Sequence, residues 1–108
     1  MALLTNEQMN EQLALFLNRV KIRFPDAKVF LFGSRARGDF LLESDVDVLI
    51  ISDGFKDIFW PRRLGLISEM WDGFVVLEPL CYTPEEFEKK RKQLGVVSQA
   101  IKEGKRIL

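Results

Sequence analysis

The run Asp45-Val46-Asp47-Val48-Leu49-Ile50-Ile51 decides the fold, because two aspartates one residue apart lead into a wholly apolar stretch. Side chains alternate faces along a strand, so Asp45 and Asp47 project one way and Val46 and Val48 the other. The two aspartate Cα atoms then lie roughly 6–7 Å apart, twice the rise per residue. At an effective dielectric near 20, two carboxylate charges about 5 Å apart repel by roughly 3 kcal/mol. Aspartate is also disfavoured in strands. A pair placed like this beside a core is expected to meet a cation, and hard cations on oxygen ligands fit it.

Working backwards, Val29-Phe30-Leu31-Phe32 reads as a short buried strand. Gly33-Ser34 ends it, eleven residues before Asp45. A glycine at a strand end lets backbone approach a ligand, and free N–H groups with the Ser34 hydroxyl suit phosphate oxygens. Arg35 and Arg37 can bind phosphate through their guanidinium forks. One helical turn is expected over 34–39 and a loop over 40–44. By itself Gly-Ser is also a common strand-to-helix turn. The two segments together carry the signal.

Residues 5–24 predict an amphipathic helix, with Met9, Leu13, Phe16, Leu17, Val20 and Phe24 on one stripe and Pro25 as its stop. Residues 56–71 predict a second helix, with Trp60, Leu64, Ile67 and Trp71 along one face. Phe74 to Tyr82 reads as a third strand whose Pro79 favours an edge position. Thr83-Pro84-Glu85-Glu86 is a helix start of the capping-box type, for a helix running to about Gln93. A last short helix is expected near 96–103, then an extended tail from Lys105. The order describes a single domain over 1–108, of α/β (α+β) class, with a mixed sheet covered by helices.

Composition narrows the chemistry. A 108-residue chain, 47% hydrophobic and 30% charged, holds one globular core. Sixteen basic residues balance sixteen acidic ones, so strong nucleic-acid binding is not expected. The absence of histidine removes imidazole general bases and His-based zinc sites. The single cysteine, Cys81, excludes an internal disulfide and is expected in the core. No segment approaches 18 continuous apolar residues and no signal pattern opens the chain, so no membrane partner is expected and a cytoplasmic location is. Phe55, Phe59, Trp60, Trp71 and Phe74 are expected in the core or at a subunit interface, which allows a homo-oligomer. Surface placement is expected for Arg62 and Arg63.

The segments Val29-Phe-Leu-Phe-Gly-Ser-Arg-Ala-Arg-Gly-Asp39 and Ser44-Asp-Val-Asp-Val-Leu-Ile50 resemble the two signature stretches of the minimal nucleotidyltransferases, within the DNA polymerase β-like superfamily. The resemblance spans essentially the whole chain and implies that superfamily's catalytic core. It implies transfer of a nucleoside monophosphate, AMP from ATP or that of another NTP, to a hydroxyl with release of pyrophosphate, using two Mg²⁺ ions. It implies that Gly33 and Ser34 hold the triphosphate and that Asp45 and Asp47 bind both metals. The family's third carboxylate would be Glu78, where many minimal members have aspartate, as a metal ligand and catalytic residue. It further implies a small helical partner of the HEPN type as acceptor, and an antitoxin role in a toxin–antitoxin pair. The competing expectation is a nucleotide-binding module that neutralises its partner by contact alone.

Overall fold

A computed structural model describes residues 6–32, 45–73, 75–93 and 104–108. In chain order these form α1 (Asn6–Arg23), β1 (Lys28–Phe32), β2 (Val46–Ile51), a 3₁₀ turn (Asp53–Phe55), α2 (Trp60–Glu69), β3 (Leu77–Tyr82), α3 (Pro84–Arg91) and β4 (Lys105–Arg106). The four strands make one mixed sheet in the order β3-β2-β1-β4. β1 is antiparallel to both β2 and β4, whereas β2 and β3 run parallel. A parallel pair needs a crossover, and α2 supplies it.

The pairing register explains which residues are buried. Val29 faces Ile50 and Leu31 faces Val48 across β1 and β2, and Val46, Val48 and Ile50 stand beside Leu77, Pro79 and Cys81 of β3. This apolar side of the sheet packs on Met9, Phe16 and Val20 of α1, Phe24 just after it and Ile67 of α2, with Phe55 between. The α1 stripe read from periodicity is thus the buried one. Lys28, Phe30, Phe32, Asp47, Leu49, Ile51, Glu78, Leu80 and Tyr82 occupy the opposite side by alternation.

Two local devices hold the ends of the elements. Ser52 is fully buried; its hydroxyl donates to Asp26 Oδ1 at 2.6 Å, and the Asp53 N–H donates to Asp26 Oδ2 at 2.8 Å. The turn after α1 is thereby tied to the end of β2. Gly54 is required there, since a Cβ would come within 2.5 Å of the Phe24 ring. At α3, the Thr83 hydroxyl accepts from the Glu86 N–H while the Glu86 carboxylate accepts from the Thr83 N–H. That is the capping box expected from the sequence.

Three expectations are corrected. The helix expected over 56–71 is shorter, running from Trp60 to Glu69 after a 3₁₀ turn that ends at Phe55, because Pro61 suits only the first helical turn. The tail after Gly104 is not merely extended. It adds β4 to the sheet, and Leu108 and Val29 exchange backbone hydrogen bonds. Arg63 is buried at 5% exposure, since its guanidinium satisfies the Ile58 and Cys81 carbonyls and a bidentate pair with Glu86. The helical turn expected over 34–39, the loop over 40–44 and the helix near 96–103 lie outside the described residues.

Candidate active site

Asp47 is the second residue of β2 and Glu78 the second of β3. The parallel register sets them side by side, and Phe32 of β1 faces Asp47 from the other flank. Neighbouring strands are about 4.8 Å apart, so the two acidic side chains leave one face of the sheet as immediate neighbours. Asp45 lies just before β2, two residues from Asp47, and is exposed. Behind them Val46 and Val48 are fully buried. The row is therefore an acidic edge on an apolar base, at the end of the sheet where β2 and β3 begin.

Glu78 feels both aspartates. The Glu78 carboxyl is held above the ordinary carboxylate range, first by a side-chain hydrogen bond with Asp47, then by burial, then by the charges of Asp47 and Asp45. Like charges brought together make ionisation harder. Among the described residues, no three acidic, histidine or cysteine side chains already stand at metal-ligating spacing. The donor set is nevertheless hard oxygen throughout. It suits Mg²⁺, which takes one or two carboxylates and completes its shell with phosphate oxygens and water.

Of the residues singled out in the sequence, the structure brings Asp45, Asp47 and Glu78 together. Gly33, Ser34, Arg35 and Arg37 lie outside the described residues. Phe32, the residue before Gly33, ends β1 directly opposite Asp47, so the strand leading to that segment finishes at the acidic row.

Pro79 does not disturb β3. The Val76 and Tyr82 carbonyls accept from the N–H groups of Val46 on β2 and of Ser52 just past its end, so alternation turns the backbone of residues 77, 79 and 81 outward. The missing N–H of Pro79 thus falls on the unpaired edge, where no ladder bond needs it. Arg63 caps that same edge by donating to the Cys81 carbonyl at 3.2 Å. Burial pushes the Cys81 thiol up to about 12, with Arg63 opposing, so it is a core side chain and not a nucleophile. Arg63 and Glu86 set the far end of β3, yet nothing in the sequence pairs them, since 23 positions separate them.

Comparison with known proteins agrees with this architecture. A family model described as a nucleotidyltransferase domain matches residues 13–107. A Methanocaldococcus jannaschii protein with the provisional name protein adenylyltransferase is 47% identical over 86 residues, covering 76% of this chain and 83% of that protein. The 1.40 Å crystal structure of a provisionally named nucleotidyltransferase from Sulfolobus solfataricus superposes with a TM-score of 0.56 at 26% identity, covering 80% of this chain and 82% of that one. With its four-stranded mixed sheet and its acidic row, the chain belongs to the nucleotidyltransferase domain family.

Proposed function

We propose that this nucleotidyltransferase moves AMP from ATP to a hydroxyl of a protein acceptor, a small helical partner of the HEPN type, and serves as the antitoxin of that pair. The observation that carries the transfer chemistry is the pairing of Asp47 with Glu78 across parallel strands, with Asp45 alongside. The protein acceptor is supported by the provisional name of the Methanocaldococcus relative.

Asp45 and Asp47 would hold two Mg²⁺ ions and Glu78 would complete the second of the two sites. Bound there, divalent cations neutralise the triphosphate and lower the pKa of the attacking hydroxyl. Gly33 and Ser34 would hold the triphosphate through backbone and hydroxyl donors, with Arg35 and Arg37 beside it. The acceptor oxygen forms a bond to the α-phosphorus as the bond to the bridging oxygen breaks, and pyrophosphate leaves. Where Glu78 does not hold the second ion, its carboxyl, held above the ordinary carboxylate range, would receive the hydroxyl proton. The chain's contribution is positioning and charge, which suits in-line phosphoryl chemistry.

The test incubates the chain with Mg²⁺, α-labelled ATP and a co-encoded helical partner. Label on the partner that disappears with Asp47→Asn is the expected outcome. Complex formation without label transfer would replace the enzyme with a contact-only module.

A further inference from the structure

Phe59 and Trp60 are 73% and 52% exposed at the start of α2. Large aromatic side chains left in water at adjacent positions cost solubility and mark contact surfaces. Trp60 also forms one wall of a cavity of about 320 Å³, completed by Arg63, Cys81, Tyr82, Glu86 and Lys90. The cavity opens between α2 and α3 at the end of β3 away from the acidic row. Tyr82 lies four residues from Glu78 on the same strand, roughly 13 Å.

The charges around the opening are not balanced. Arg63 and Glu86 neutralise one another through contacts of 2.6 and 3.3 Å. Among the described residues Lys90 is then the remaining charge on the lining, and it has no ion-pair partner among them. Lys89 on α3 and Lys92 just past its end flank it, Glu88 is already paired with Arg91, and exposed Arg62 follows Trp60 by two positions. Against these cations stand two exposed carboxylates, Asp57 near Trp60 and Glu85 beside Glu86, so among the described residues the rim stays cationic. An aromatic-walled hollow with a cationic rim complements a bulky apolar side chain flanked by carboxylates.

We propose that the Phe59–Trp60 face and its cavity are a docking site for the acceptor protein, receiving one large apolar side chain from an acidic helical segment. The inference rests on the reading that the acceptor is a protein. The extent of exposed surface at Phe59, beyond the cavity itself, favours a protein segment over a free small molecule. Held about 13 Å from the transfer centre, the partner gains residence without occupying the catalytic row.

The probe is a short labelled helical peptide bearing one phenylalanine flanked by glutamates, with a twin carrying lysines for the glutamates. Binding to the full chain is followed by fluorescence anisotropy. The glutamate peptide is expected to bind, more weakly as salt rises, and the lysine twin is not. Trp60→Ala and Lys90→Glu each weaken binding about tenfold or more, while ATP affinity stays at the wild-type value. Both positions are exposed, so the variants keep the fold. Asp47→Asn leaves peptide binding unchanged, which separates failure of docking from failure of the transfer reading. Equal binding of the two peptides, or full affinity in Trp60→Ala, overturns the proposal. So does a Trp60-dependent dimer of this chain in sedimentation without peptide, since the occupant is then a second copy.

Discussion

At the scale of single residues, Asp47 is the position on which the site turns, because it touches both flanking strands. Asp47→Asn is expected to lower the initial rate of pyrophosphate release by at least about 100-fold, the cost of losing one charge-stabilising group, with an unchanged circular dichroism spectrum. Glu78 offers a separate check. Its folded pKa lies above the unfolded value, so its contribution to stability is full below the unfolded pKa and is lost as pH rises through the folded one. Glu78→Gln is therefore expected to raise the Tm of the metal-free protein at neutral pH. Mg²⁺ with nucleotide should raise the Tm of the wild type more than that of the variant. Calorimetry with and without Mg²⁺ reads both. The aspartate pair was legible because its alternation needs only the period of a strand. Glu78 carried no such signature: only the resemblance singled it out, and only the β2–β3 register shows that it stands beside Asp47.

At the scale of elements, α1, the two central strands and α3 follow from local rules, and the structure places their boundaries within about two residues of the expected ones. A stripe at helical spacing, a proline stop and a capping box are all short-range. Where reading failed, distance in the chain was the reason. Arg63 looks like any surface arginine beside Arg62, and its burial depends on Glu86 and the Cys81 carbonyl, which arrive only when β3 and α3 are in place. Likewise β4 needs the edge of β1 to pair with, and its two residues have no strand pattern of their own. Arg63→Ala is expected to destabilise by about 3 kcal/mol, because it strands a partly buried carboxylate and two carbonyls. Thr83→Ala should cost about 1 kcal/mol through the lost cap. Urea unfolding curves measure both, and Arg63→Lys, which keeps charge but not the fork, should fall between wild type and Arg63→Ala.

At the scale of the whole molecule, two carboxylates clamp distant parts of the chain together. Asp26, through Ser52 first, and Glu86, through Arg63 first, are held below the ordinary carboxylate range. A depressed folded pKa contributes stability that is complete above the unfolded value and is lost as pH falls through the folded one. Through these two groups the Tm should fall on acidification below the ordinary carboxylate range, after the opposing rise that Glu78 gives at milder acidity. Ser52→Ala should make that fall shallower, as a series of thermal melts against pH would record. The parallel registration of β2 with β3 has a further result for how this molecule tolerates change. One added or deleted residue between Val76 and Glu78 would send the glutamate to the oily side and bring Leu77 or Pro79 beside Asp47 in its stead. The stretch joining Phe55 to Val76 sets no strand register, so homologues are free to lengthen or shorten it wherever α2 still bridges the strands and Arg63 still meets Glu86. Insertions should therefore gather in that connection and stop abruptly at the threshold of β3.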